Sequence, residues 1–513
     1  MTDWAERVRV VRVIGTGAMG RGIAQWAAAG GVTVELADAR PEAVATAVEQ
    51  VGAMFARLAA KGRMTADEAD AARARLRPVG DPLTPLAGCD LVVEAVREDL
   101  AVKRELFAEL EKYAPEETVF ATNTSSLSVT AIGAALVDPS RLAGLHFFNP
   151  VPLMKVVEVV PGARTAGWIP DGFAALVRRL GHTPVIAPDT PGFLVNHAGR
   201  GLATEALQIL AEAVAEPVDV DRIARDVLGL RMGPFELIDL TGLDVSHPVL
   251  ETIWTGFHGE PRLRPSRITR QRYEAGLLGR KTGEGFYRYP GGTKEEPPET
   301  TPDAAPRPVW IHDTTPGTRE KLAALLGTAN VTVETGETPS AEAVVLVAPE
   351  DRAALDVALE ADLPAERTLG VDPFGGFFTR LTLAVHPGVD PAAGRAAWAA
   401  LAATGRPVTV VRDAPAPIAA RLLASIVNVA AEIAGQRLAT PADIDAAVRL
   451  GLGYPRGPLE WGDTEGAARI HAVLTGLLTR TGDPRYRPSR WLTERAALNL
   501  PLTDPGTTPS DLA

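Results

Sequence analysis

The chain has 513 residues, 46% of them hydrophobic and 23% charged, with a net charge of −12. At roughly 100–200 residues per domain, this length calls for three or four cores. The acidic balance, without a lysine or arginine block, argues against nucleic acid or an anionic membrane as the main partner. The lone cysteine, Cys89, excludes an intrachain disulfide and suits a reducing compartment. Asp3 and Glu6 precede a strand-like run from Val8, which leaves no room for a signal peptide, and the expected location is the cytoplasm. The Ala-rich run at 421–435 carries Arg421 and Glu432 and is too short to span a bilayer.

Residues 8–14, VRVVRVI, are a predicted apolar strand. Gly15, Thr16, Gly17, Ala18, Met19 and Gly20 follow at once, then a helix-like segment and a second strand ending at Asp38. In that context Gly15 permits a tight turn, Gly17 lets the backbone approach a pyrophosphate, and Gly20 lets helix and strand pack closely. Asp38 would accept hydrogen bonds from the adenosine ribose and repel a 2′-phosphate, favouring NAD over NADP, while nearby Arg40 pulls the other way. Residues 41–75 read as two helices broken near Lys61-Gly62-Arg63, with a cap at Thr65. Each of Arg57, Lys61, Arg63, Arg73 and Arg75 reads alone as part of a solvated basic face. As a group they are candidates to meet a phosphorylated ligand, Lys61 and Arg63 foremost.

DLVVEA at 90–95 is a buried parallel strand, and Arg97-Glu98 opens the next helix. The strand TVFAT runs into Asn123-Thr124-Ser125-Ser126. Residues at the C-terminal ends of parallel strands face the ligand crevice, which places Glu98, Asn123 and Ser125 to reach cofactor or substrate. As lone residues, Ser125 and Ser126 would more often be helix caps for the segment starting near Ser128. In RLAGLHFFNPVPLMKVVEVV, residues 141–160, His146 ends one short strand and Glu158 sits inside the next. The turn between them, Asn149-Pro150-Val151-Pro152, is too proline-rich to continue either strand, and Asn149 is a candidate substrate contact. Two strands so joined could bring Glu158 beside His146, where a carboxylate fixes the imidazole tautomer as a general base requires. Taken alone, the pair reads sooner as a core histidine and an edge-strand glutamate, an order that the rest of the chain reverses.

The α/β region is expected to end at 188. Residues 189–290 are helical in pattern, with Asn196 near the start, and 291–308 form a proline-rich linker. An internal duplication follows. Asp219, Asp221, Gly233-Pro234, Glu236 and Asp239 recur as Asp443, Asp445, Gly457-Pro458, Glu460 and Asp463, a constant offset of 224. Residues 309–412 read as a degenerate Rossmann-like domain, with Ile311-His312-Asp313 where a glycine loop would stand. Residues 413–500 are the second helical copy, and 501–513 a disordered tail. The expected alignment sets Asp372 opposite His146, Leu383 opposite Glu158, Ala420 opposite Asn196 and Val429 opposite Glu205. The second half then keeps the architecture without cofactor loop or catalytic pair.

Together, VIGTGAMGRGIA, DLVVEAVRED, NTSSLSVT, HFFNPVPLMKVVEVV, PGFLVN, RMGPFELIDLTGLDV and GLGYPRGPLEWGD resemble the 3-hydroxyacyl-CoA dehydrogenases of the bacterial type with two C-terminal helical domains. That group includes 3-hydroxybutyryl- and 3-hydroxyadipyl-CoA dehydrogenases, and the likeness covers about residues 8–290 and 413–463. It implies an α/β Rossmann-type NAD-binding domain followed by an all-α 6-phosphogluconate-dehydrogenase-like domain. The reaction implied is reversible oxidation of the 3-hydroxyl of an (S)-3-hydroxyacyl-CoA, short-chain or dicarboxylic, in fatty-acid β-oxidation or phenylacetate degradation. It further implies His146 and Glu158 as catalytic pair, with Ser125 and Asn196 at the substrate oxygen. NAD contacts are expected from Gly15, Gly17, Ala18, Met19, Gly20, Asp38, Glu98, Lys103 and Asn123, with no metal. The assembly expected is a homodimer or, if the second helical copy packs on the first, an internally paired pseudo-dimer. Two rivals remain: a non-catalytic NAD-binding structural or sensor protein, and a dehydrogenase of free hydroxy acids.

Overall fold

The computed structural model describes residues 2–314 and 316–512. The chain forms two compact units, Met1–His197 with Arg437–Leu452, and Ala198–Gln436 with Gly453–Ala513.

In the first unit, short apolar runs form β1 (Val10–Ile14), β2 (Thr33–Ala37), β3 (Leu76–Pro78), β4 (Leu91–Glu94), β5 (Val119–Thr122), β6 (Leu142–Phe147), β7 (Val156–Pro161) and β8 (Thr183–Ile186). They make one sheet in the order β3-β2-β1-β4-β5-β6-β7-β8. Every neighbouring pair is parallel except β6 with β7. Strands β4, β5 and β6 are buried from end to end, as a sheet covered by helices on both faces requires. The strand order reverses between β1 and β4, and such a reversal opens a crevice at the carboxyl ends of the strands. Between β2 and β3 the chain makes the two expected helices, Pro41–Ala60 and Ala66–Ala74. The second starts at a capping box in which Thr65 and Glu68 satisfy each other's backbone donors.

The second unit contains the first helical copy from Ala198 onward, the second copy without its helix Pro441–Gly451, and a smaller sheet. Its strands are β9 (Val309–Ile311), β10 (Val333–Glu334), β11 (Val344–Val347), β12 (Thr368–Val371), β13 (Leu381–Val385) and β14 (Val408–Arg412), ordered β10-β9-β11-β12-β13-β14. It is again parallel apart from one step, β12 with β13, and has two strands fewer than the first sheet. The repeat extends to detail. Asp189 accepts from the backbone N–H of Val129 and Thr130, and Asp413 does the same for Ala354 and Leu355.

Helix Arg200–Ala211 of the first helical copy lies along helix Ile418–Gly435 of the second. A Cβ on Gly201 would stand 2.7 Å from the Cα of Ile426 and from the carbonyl oxygen of Ser425, so only glycine lets the backbones meet. Gly201 and Ser425 are counterparts in the repeat, so the copies meet about a local two-fold. Arg264 pairs with Asp483 and, reciprocally, Arg487 with Glu260, as an isologous contact demands. The run at 421–435, expected to be too short to span a bilayer, belongs to the longer helix Ile418–Gly435, which is long and apolar enough to cross a membrane, but 83% of it is buried inside the protein. Its Arg421 bonds Glu205 at 2.7 Å, Glu212 at 2.8 Å and the Tyr486 hydroxyl at 2.9 Å.

Both the linker and the tail are tied to the unit, and the expectation of a disordered tail fails. The linker 291–308 is held down: Glu296 pairs with Arg222 and Arg225, and Glu299 with Arg380. The expected disordered tail begins ordered, with Leu502 fully buried and its N–H, like that of Thr503, bonded to Asp463. Asp463 is the repeat of Asp239, which takes the N–H groups of Phe286 and Tyr287, so each copy uses this aspartate to anchor a returning strap.

Candidate active site

Strand β1 delivers Gly15 into a left-handed turn (φ +99°), where a Cβ would lie 2.5 Å from the Ala95 carbonyl oxygen. A Cβ on Gly20 would overlap the Gly15 carbonyl oxygen, at 1.8 Å. The first and third glycines are thus demanded by the fold. The second is not: a Cβ on Gly17 would meet nothing within 4 Å among the described residues outside its own chain neighbours. That open space lies at the N-terminus of helix Ala18–Ala29, whose first turn has no side-chain cap, so its N–H groups suit an anionic ligand. Asp38 ends the second strand, and its Oδ2 accepts from the N–H and hydroxyl of Thr16, each at 2.8 Å. Burial pushes the Asp38 carboxyl up, but the Thr16 bonds, the Arg40 N–H and the Arg40 charge outweigh it and hold the group below the usual range. An open glycine turn, an uncapped helix start and an ionised acid fit the phosphates and ribose of NAD.

On the other side of the reversal, β6 and β7 pair so that His146 stands directly opposite Glu158. His146 Nδ1 donates to Glu158 Oε2 at 2.5 Å, which leaves Nε2 as the nitrogen able to take a proton. The other oxygen of the fully buried Glu158 accepts from the N–H groups of Leu194 (2.9 Å) and Val195 (2.7 Å), so the carboxylate cannot swing away. The imidazole is buried, with Phe148 at 4.5 Å and Phe193 at 5.7 Å between ring centres. A sequence motif does not announce these aromatic walls.

The loop after β5 is organised by Glu98. Its Oε1 accepts from the Thr124 hydroxyl, the Ser125 N–H, and the N–H and hydroxyl of Ser126. Burial raises the Glu98 carboxyl, yet these bonds and the Lys103 charge bring it below the usual range. Ser125 is exposed on this loop, and Asn123 Oδ1 accepts from the Phe147 N–H, tying the ends of β5 and β6 together beside His146. Asn196 follows Val195 in the short helix Val195–Ala198. Lys103, expected to contact the cofactor, is buried beneath Glu98, 2.6 Å from Glu94 and 3.2 Å from Glu98. Glu94 went unremarked in the sequence. Its signal was a lone acid in an apolar strand with a lysine nine residues on, and Thr122 satisfies its second oxygen at 2.7 Å.

Asn149, Lys61 and Arg63 are exposed, Lys61 capping helix Pro41–Ala60 and Arg63 in the turn after it. Among the described residues, no hydrogen bond or ion pair joins them to the His146 cluster.

In the second sheet, Val371 pairs with Leu383, so the next residue, Asp372, faces Thr382, and its N–H bonds the Thr382 carbonyl at 3.1 Å. Thr382, rather than the expected Leu383, therefore stands in the place of Glu158. Thr382 lies ten residues after Asp372 where Glu158 lies twelve after His146, so the repeat is shortened by two residues here and the expected one-residue gap falls one short. Asp372 accepts from the N–H of Phe374 (2.8 Å) and, weakly, from Ala419 (3.4 Å), and burial pushes it up to about 7.

Comparison with known proteins agrees with this geometry. Residues 10–190 match the family described as 3-hydroxyacyl-CoA dehydrogenase, NAD binding domain, and residues 192–289 and 418–502 both match its C-terminal domain. The chain is 37% identical over 493 residues to the 3-hydroxyadipyl-CoA dehydrogenase of Escherichia coli K12, covering 96% of this chain and 98% of that one. It is 37% identical over 282 residues to a probable 3-hydroxybutyryl-CoA dehydrogenase of Bacillus subtilis 168, covering 55% of this chain and 98% of the relative. The crystal structure of 3-hydroxybutyryl-CoA dehydrogenase from Escherichia coli K12 superposes with a TM-score of 0.83 at 35% identity, covering 96% of this chain and 99% of that one.

Proposed function

Since the chain belongs to the 3-hydroxyacyl-CoA dehydrogenase family, we propose that His146 is the general base of its reaction and Glu158 the group that orients it. The reaction is the NAD-dependent oxidation of a 3-hydroxyacyl-CoA to the 3-oxoacyl-CoA. NAD, when bound, supplies the acceptor for the hydride leaving C3. His146 Nε2 takes the hydroxyl proton, and Glu158 stabilises the imidazolium that results. Ser125 and Asn196 hold the substrate oxygens so that C3 sits at transfer distance. Glu98 keeps the Ser125 loop in shape, and Lys103 serves the cofactor side through Glu98. The observation that carries this reading is the 2.5 Å bond between Nδ1 and Glu158, at the carboxyl edge of the sheet that also bears the open glycine turn.

The acyl group is proposed to be short or to end in a carboxylate, because the relatives are named for butyryl and adipyl substrates. Asn149, Lys61 and Arg63 are proposed substrate contacts, fatty-acid or phenylacetate breakdown the proposed setting and the cytoplasm the proposed location. The mated helical copies favour an internally paired chain over a homodimer built on the same helices.

The test is NADH oxidation with acetoacetyl-CoA, beside free acetoacetate and NADPH. Activity needing both CoA and NADH is expected, and kcat/KM with 3-hydroxybutyryl-CoA and 3-hydroxyadipyl-CoA then ranks the acyl groups. Silence with every CoA substrate, alongside normal NADH binding, would return the sensor reading.

A further inference from the structure

The first unit contains a segment from far along the chain, the helix Pro441–Gly451. By the repeat it is the counterpart of helix Pro217–Asp226 in the first helical copy. It packs not on a sheet of its own half but on β7 and β8 of the first sheet. In the second unit, helix Pro217–Asp226 correspondingly meets β14 of the second sheet, where Arg380 bonds Asp226 at 2.8 Å. The two halves have exchanged this helix.

The last residue of the exchanged helix is Gly451. A Cβ there would lie 2.9 and 3.1 Å from the two methyl groups of Val195 and 3.4 Å from a methyl of Val156. Both contacts lead to the same carboxylate. Val195 donates its N–H to Glu158 at 2.7 Å, and Val156 opens the strand that carries Glu158. Backbone conformation does not require this glycine, since the left-handed residue that ends the helix is Gly453, with φ +71°. The counterpart of Gly451 is Val227, a methyl of which would stand 2.8 Å from a Cβ on Gly375, in the turn that follows Asp372. Bulk is present in the half without a histidine–glutamate pair and absent in the half with one.

We propose that the end of the second-copy helix is a positioning element for catalysis, with Gly451 seating Val195 and β7 so that Glu158 keeps its hold on His146. The inference rests on the His146–Glu158 reading above. The catalytically inert half thereby completes the working site.

The test is Gly451→Val in the full chain, assayed with NADH and acetoacetyl-CoA. A loss of about 10- to 100-fold in kcat is expected, as for a sub-ångström to 1 Å displacement of a catalytic group, with KM and the NADH Kd within about threefold. Adding Val195→Ala should return kcat to within about threefold of wild type by making room for the new methyl groups. An unchanged kcat, or one that Val195→Ala fails to restore, overturns the proposal. If Gly451→Val does not fold, Gly451→Ala is read the same way, with about a threefold to tenfold loss expected. His146→Gln is run alongside. Its retaining activity would sink the catalytic reading itself, whereas a dead His146→Gln with an unimpaired Gly451→Val would sink only this inference.

Discussion

The two α/β regions of this chain share a strand plan, down to the single antiparallel step, and differ in what stands on it. Where β6 and β7 hold histidine opposite glutamate, β12 and β13 lead to aspartate opposite threonine. In the first region the glutamate's second oxygen takes the N–H groups of Leu194 and Val195. In the second, Asp372 reaches the N–H of Ala419, the counterpart of Val195. A carboxylate at the start of the following helix is kept in both, and the imidazole that would use it is kept in one. The difference separates two jobs of Glu158: holding the chain together, which the second region still does, and orienting a base, which it has given up.

The comparison breaks most sharply at His146. His146→Gln should lower kcat by on the order of 10³–10⁴-fold while leaving the NADH Kd unchanged by fluorescence titration; near-wild-type turnover would refute the assignment. Next comes the seam between the helical copies. Arg421→Met leaves Glu205 buried without its partner, and a loss of about 3–5 kcal/mol is expected from urea unfolding. Arg264→Ala, at the more exposed reciprocal pair, should cost within about 1 kcal/mol.

An effect on stability alone, and dependent on pH, is expected at Asp372. Its folded carboxyl titrates at about 7, against an ordinary value of 3.8, so the folded state binds this proton more tightly than the unfolded state. Stability from this group is therefore full below about pH 4 and is lost as pH rises through 7, by on the order of 1–4 kcal/mol. Asp372→Asn should leave kcat unchanged and flatten that part of the stability profile, measured by denaturant midpoints at pH 5 and 8; a dead variant would show the second region to be catalytic after all. Least of all is expected from rebuilding the pair. Asp372→His with Thr382→Glu, in a His146→Gln background, should recover no turnover, because Ile311-His312-Asp313 replaces the glycine turn.

The candidate site was legible wherever its chemistry is local in sequence. The glycine turn, Asp38 at the end of the next strand, and a histidine and glutamate on two strands joined by a proline-rich turn are all neighbours along the chain. Their geometry follows from strand period and turn composition alone. The same holds for the duplicated Asp, Gly-Pro and Glu spacings, since each repeat must rebuild the same caps and anchors. The register error at Leu383 came from the turn between β12 and β13, which is two residues shorter than the turn between β6 and β7, a difference in loop length that only strand pairing reveals.

What the sequence determined by itself was the order of elements, the cofactor turn, the paired His146 and Glu158, and the presence of a second, altered copy. Those depend on short-range periodicity and backbone conformation. Only the tertiary structure decided that Lys103 lies beneath Glu98, that the linker glutamates and Leu502 are fixed in place, that the helical copies mate through Gly201 and Arg421, and that Gly451 reaches Val195. Each of these is a contact between residues whose fit depends on packing and on the burial of charge, and close approach of distant backbones leaves no period in the chain to read.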